Sequence, residues 1–205
     1  DSSSFFNTLS SAPATSRTLD AACAAPFHQC ASIFASLAAD IRRPETCKQD
    51  LENGNPLAQA ALTDFRAYEP LYKATCLTNP ASDNYCFVDA VFSNVSADYN
   101  VYFVPLGVSL SSELRNLTCG QCLQATMDVF SEYAEVDGQP LAQSYLPSAR
   151  AVNRICGSGF ADVNVSVGSV KLAAQADSGA AGVGVDGLLV LAWALLLGLG
   201  VVWFG

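Results

Sequence analysis

Cysteine is the residue type in this chain whose number and spacing point most directly to chemistry. Eight of them, Cys23, Cys30, Cys47, Cys76, Cys86, Cys119, Cys122 and Cys156, are spread over the central region and absent from both ends. An even set of this kind predicts four disulfides. Metal ligation would need paired C-x2-C units with His or further Cys pairs nearby, and only Cys119 and Cys122 form such a pair. The only imidazole, His28, lies between Cys23 and Cys30. No metal and no cofactor is therefore expected. A redox use of Cys119-Gly120-Gln121-Cys122 would require a βαβ setting that the flanking sequence does not offer. Eight cysteines allow 105 pairings, and Cys76 with Cys86 is the one pairing singled out here.

Other catalytic constellations are sparse. There is no G-x-S-x-G elbow, no P-loop and no G-x-G-x-x-G after a strand. Glu132 and Glu135 are three apart on one expected helix, a spacing more typical of a solvated face than of a glycosidase pair. No catalytic residue is assigned. Clustered aromatics suggest binding instead: Phe65, Tyr68, Tyr72, Tyr85, Phe87, Tyr102 and Phe103 could line an apolar tunnel, and Tyr85, Phe87, Tyr99, Tyr102 and Phe103 could form an exposed platform for a glycan or partner protein. An ordinary core would use the same residues, so their exposure decides. The plant-type lipid-transfer pattern needs adjacent Cys-Cys and C-x-C, both absent.

The elements that must position these residues are read from apolar periodicity as helices. One stretch runs from Leu19 through Phe27 to Ile41, with Pro26 marking a kink or a fresh start. Asn55 and Pro56 form an N-cap and N1 pair opening a helix through Tyr68, ended by Pro70. Asp83 is expected to cap a short helix carrying Cys86, Thr118 a helix carrying Cys119 to Phe130, and a last helix spans Leu141 to Cys156, stopped by Gly157. Residues 99–108 alternate and are aromatic and β-branched, which predicts one short extended segment. The fold class expected is all-α: a disulfide-stapled domain of five or six helices over residues 17–160. A Ser/Thr-rich tail (1–16) precedes it, and a Gly/Ala/Ser-rich stalk (161–187) and hydrophobic segment (188–205) follow.

Composition restricts partners. The 205 residues carry 10 Lys+Arg against 19 Asp+Glu, a net charge of −9, which leaves no basic stripe for a phosphate backbone and argues against nucleic acid. Three acceptor sequons, at Asn94, Asn116 and Asn164, fall between the expected helices and predict N-glycosylation. The first residue is Asp1, without Met or an apolar leader, so removal of a signal peptide is expected. From Leu188 to Phe204 run seventeen uncharged residues, about 26 Å as a helix. Three small residues, Ser178-Gly179-Ala180, and a short spacer precede them. This order matches a glycosylphosphatidylinositol (GPI) signal, with Ser178 the expected attachment residue. A single-pass anchor is the alternative.

Asn55-Pro56-Leu57, Cys76-Leu77, Tyr85-Cys86-Phe87, Cys119-x-x-Cys122 and Val152-Asn153 with Cys156-Gly157, followed by that small-residue signal, resemble a family of fungal GPI-anchored, cysteine-rich surface proteins. The resemblance spans about residues 17–160 plus the tail. It implies a plasma-membrane or cell-wall location and a helical domain without assigned activity. The expected function is thus a glycosylated envelope protein with a structural or interaction role, held to the membrane by its lipid, whose partners are a wall glycan or a surface protein. The alternative is a carrier of a lipid or sterol, with a hydrolase third.

Overall fold

Two prolines and an asparagine set the first half of the architecture in the computed structural model, which describes residues 8–169. Helix α1 (Ala12–Cys23) has Pro13 in its first turn, where a missing N–H costs nothing. It starts ahead of the expected boundary at 17. Thr15 is 1% exposed, and its hydroxyl donates to the carbonyls of Thr8 and Ser11. Pro26 then breaks the chain, and α2 (Phe27–Asp40) leaves α1 at 84°. After the short α3 (Lys48–Glu52), Asn55 Oδ1 accepts the N–H groups of Leu57 and Ala58 and so caps the long α4 (Pro56–Thr75). Pro70 does not end α4. It is buried in the helix interior, where tertiary packing outweighs the lost backbone bond.

The second half is built from short pieces and two long helices. These are α5 (Cys86–Val91), α6 (Ala97–Asn100), a 3₁₀ helix (Val101–Leu106), α7 (Gln121–Ala134) and α8 (Leu141–Cys156). Eight α-helices and no strand occur among the described residues, so the all-α expectation stands. The extended segment expected at 99–108 is helical instead. Alternating apolar residues with period two also suit a tight helix buried on several sides, and Val101, Tyr102, Val104 and Pro105 are all buried. Two N-cap expectations also shift. Tyr85 rather than Asp83 precedes α5, and Gly120 rather than Thr118 precedes α7.

Helices α7 and α8 pack on each other, α4 crosses α7 and the 3₁₀ helix, and α2 lies along the outside of α4. The core between them includes Phe87, Val101, Val104, Met127, Phe130, Leu141, Tyr145 and Val152. Two buried serines inside it are satisfied by backbone groups. Ser144 Oγ donates to the Val104 carbonyl at 2.6 Å, and Ser148 Oγ accepts the Leu110 N–H at 2.9 Å, tying α8 to the 3₁₀ helix and the loop after it. Beyond α8, Asn153 clamps Ala161 through both its amide atoms, and the Tyr145 hydroxyl donates to the Asp162 carbonyl. The backbone continues to Gly168, whose N–H bonds the Ala134 carbonyl. A Cβ there would come within 2.6 Å of the Val136 carbonyl oxygen, so only glycine allows this approach. The packed region therefore runs past residue 160. The stalk, Ser178 and the hydrophobic segment expected at 188–205 lie outside the described residues.

Three disulfides fasten the helices. Cys23–Cys76 joins α1 to the end of α4, Cys86–Cys122 joins α5 to the first turn of α7, and Cys119–Cys156 joins the loop before α7 to the end of α8. The expected pairing of Cys76 with Cys86 is corrected. Cys86 N–H does bond the Leu77 carbonyl, but the two sulfurs face α1 and α7 respectively. The expectation of four disulfides is corrected as well, because Cys30 and Cys47 are thiols. Thr46 donates its hydroxyl to the Asp40 carbonyl at the end of α2, which holds Cys47 there. Cys30 lies in the first turn of α2, ten residues before Asp40.

Candidate functional site

The aromatic residues divide into two clusters, and neither is an exposed platform. Phe27, Phe34, Phe65, Tyr68 and Tyr72 stack between α2 and α4, with Phe34 and Tyr68 centroids 4.4 Å apart. Phe87, Tyr99, Tyr102 and Phe103 meet edge to face, the closest pair being Phe87 and Tyr102 at 4.9 Å. Phe87 and Tyr102 are each 6% exposed. This second cluster is core, and its Tyr102 also lines a groove.

The groove has a volume of about 730 Å³ and lies where α5, the loop 92–96, the 3₁₀ helix and the start of α7 converge. That volume is in the range of small-molecule sites. Val88, Val101, Leu123 and the Cys86–Cys122 disulfide give it apolar walls, while Asn79, Asn84, Asp89, Ser93 and Asp98 stand around it. The disulfide fixes the distance between α5 and α7 and so fixes the width of the groove.

Its floor carries an unusual group. Thr126 is 1% exposed and its hydroxyl has no hydrogen-bond partner within the structure. The neighbouring Tyr102 hydroxyl is close enough to interact with it, which lowers the Tyr102 pKa, but burial outweighs this and pushes that pKa up to about 12. A buried hydroxyl without a partner costs about 1–3 kcal/mol; its oxygen has less than 1 Å² exposed, so a ligand atom recovers that cost only by displacing the side chains over it. The sequence does contain the signal for this residue: Thr126 stands on the apolar stripe of Leu123, Met127 and Phe130, the only hydroxyl among them.

The carboxylates around the groove are engaged. Asp89 accepts from the Asn79 amide at 2.7 Å and from Asn84 and Ser82 at longer range, which folds the 79–84 loop. Asp98, 9% exposed, accepts from Ser93 Oγ at 2.7 Å and from Thr118 N–H at 2.8 Å. Their oxygens hold loops rather than facing a substrate. Glu132, on α7, and Glu135, which caps its end, sit elsewhere and are exposed, and Glu135 accepts the Ser166 N–H. His28 is exposed beside Phe27. No group of three or more His, Cys, Asp or Glu among the described residues could hold a metal ion.

The three sequon asparagines are exposed. Asn94 lines the groove, as does Thr118, the third residue of the Asn116 sequon. Asn164 lies apart, its N–H bonded to Asp162. A second depression, about 580 Å³, is lined by residues 112–115, Arg154 and Ile155. Its Arg154 guanidinium is already committed to the Ser112 and Arg150 carbonyls.

A protein-family model described as a domain of unknown function, DUF7729, matches residues 1–165. The chain belongs to this family. The match takes in α1 to α8 and all three disulfides, so the DUF7729 unit includes every wall of the groove. No curated protein and no solved structure matches the chain.

Proposed function

We propose that this DUF7729 chain is a secreted, glycosylated surface protein, held by a GPI lipid attached at Ser178, whose groove binds a small and largely apolar molecule with one hydrogen-bonding head. The observation that carries the binding reading is the apolar-walled groove with the buried, unpartnered Thr126 hydroxyl beneath its floor. A sterol or a fatty acid has the required chemistry. Three disulfides and three exposed acceptor asparagines support the oxidising, secretory route. The resemblance to fungal GPI-anchored proteins supports the envelope location, and the order of small residues, spacer and apolar tail supports the lipid anchor.

The purified, secreted protein should bind a fluorescent sterol or a fluorescent C16 fatty acid saturably. Thr126→Val should weaken that binding about tenfold, equivalent to about 1.4 kcal/mol, while raising the melting temperature of the empty protein because an unsatisfied hydroxyl is gone. Absence of saturable binding by both probes, or unchanged affinity in the valine variant, sinks the reading. For the anchor, phosphatidylinositol-specific phospholipase C should release the protein from membranes; recovery of the peptide 188–205 from surface protein by mass spectrometry would contradict it.

A second reading, an interaction or structural role in the envelope, is favoured by α2. From Ala21 to Ala39 there is no Asp, Glu, Lys or Arg, and Ile33 and Leu37 are 50% and 39% exposed. In a chain of net charge −9 this uncharged outer face is a surface on which a partner avoids charge repulsion.

A further inference from the structure

Two of the three glycosylation sequons meet at the groove, and one carboxylate holds them together. Ser93, next to Asn94, donates its hydroxyl to Asp98 and accepts the Val95 N–H at 3.0 Å, which fixes the turn that presents Asn94. The other oxygen of Asp98 takes the N–H of Thr118 from the Asn116 sequon. Two residues before Asn94 stands Phe92, 41% exposed, the one large apolar side chain on this turn. Phe92 and Asn94 line the same groove.

An exposed phenyl ring beside a glycosylated asparagine has an occupant of defined chemistry. One face of a hexopyranose ring is made of C–H groups, and laying it on an aromatic face removes apolar surface of both from water. The covalent tether makes the contact intramolecular, so its effective concentration is in the millimolar range or above and a weak stacking contact suffices. The rigid Ser93 turn limits how many other positions the first sugar visits.

We infer that the first N-acetylglucosamine on Asn94 is seated on the Phe92 ring and forms a built-in lip of the groove. The inference rests on the secretory reading proposed above. It makes Asn94 the sequon with a structural role and leaves Asn164, which has no place on the groove, as an ordinary solvated acceptor.

The test uses the full chain secreted from a yeast host, as wild type, Phe92→Ala, Asn94→Gln and the double variant, each also trimmed by an endoglycosidase that leaves one N-acetylglucosamine. Peptide mass spectrometry should find sugar on Asn94. The single remaining sugar should hold the melting temperature about 2–4 °C above that of Asn94→Gln. Phe92→Ala should abolish this gain and cost little in the Asn94→Gln background, the non-additivity expected of groups in contact. Phe92→Tyr should retain the gain. An unmodified Asn94, or an equal loss from Phe92→Ala with and without the sugar, overturns the seat. Sugar missing from all three asparagines overturns the secretory reading with it. Loss of sterol and fatty-acid binding in every glycoform would break the ligand reading while leaving the seat intact.

Discussion

The α2–α4 pair and the α5–α7 end are both organised around stacked aromatic rings, yet only the second is closed by disulfides at both margins. In the first, two long helices meet along their length. Phe27, Phe34, Tyr68 and Tyr72 interlock, and Cys30 and Cys47 remain thiols. In the second, three short elements and a loop converge on the start of α7, none of the three long enough to be stable by itself. Cys86–Cys122 and Cys119–Cys156 bind them. Two of the three cross-links lie where the backbone is irregular, while the regular pair is held by side-chain packing and, at one end only, by Cys23–Cys76. The groove is found at the stapled end because irregular elements leave gaps that two parallel faces do not.

The contrast can be broken most forcefully at the cysteines. Replacing Cys86 and Cys122 together by alanine should cost about 2–5 kcal/mol and reduce secretion yield. Replacing Cys30 and Cys47 by serine should cost no more than about 0.5 kcal/mol. Guanidinium unfolding of the two double variants measures both. Titration of the denatured, unreduced protein should find two thiols per chain. Equal losses in the two variants, or no free thiol, would mean that the open end is cross-linked after all.

A smaller effect is expected from Phe34→Ala, which removes a half-buried ring from the stack that is stapled at one end only and should cost about 2 kcal/mol. Hydrogen exchange should accelerate through Phe27–Asp40 and leave α7 protected. Uniform acceleration would show that the two regions unfold as one.

The smallest effect is a pH response that both regions share for different reasons. Burial, with the adjacent Cys30 thiol, pushes Tyr68 up to about 12, and burial pushes Tyr102 to about 12. Each folded-state value is above the ordinary phenol value of about 10, so the folded chain retains these protons longer than the unfolded one. The stabilisation is complete below pH 10 and is lost as pH rises from about 10 towards 12. Absorbance at 295 nm should show exposed tyrosines ionising first, and Tyr68→Phe and Tyr102→Phe should each remove one late-titrating group. If either substitution removes an early group instead, that ring is solvated.

Local chemistry made some of this legible in the sequence and tertiary chemistry hid the rest. Asn55-Pro56 announces α4 because cap and first turn are set by neighbours within three residues. Both limits of α8, Leu141 and Cys156, follow the apolar pattern and end at Gly157, whose φ is +102°. Residues 101–106 read as extended because a short apolar run has no period that separates a strand from a buried 3₁₀ turn. The buried Pro70 shows the same limit, since its tolerance depends on surroundings remote in sequence. Disulfide partners are 36 to 53 residues apart and follow from helix placement, which no spacing rule supplies. The groove was illegible because its walls come from five separate segments. Only Thr126, polar on an apolar stripe, left a trace.

The order in which the three disulfides are threaded has a mechanical consequence. A pull applied between Cys23 and Cys156 runs through the Cys23–Cys76 bond, along the chain to Cys86, across to Cys122, back to Cys119 and across to Cys156. Without the cross-links the 133 intervening steps would extend to roughly 460 Å at about 3.5 Å per residue. With them, only the ten steps from Cys76 to Cys86 and the three from Cys119 to Cys122 bear the load as extensible chain. The limit is about 60 Å, including three bridges of about 5.5 Å. Tension therefore travels through a short covalent cable while most of the polypeptide hangs from it in slack loops. Such a chain yields little length to shear, whichever helices have already come apart.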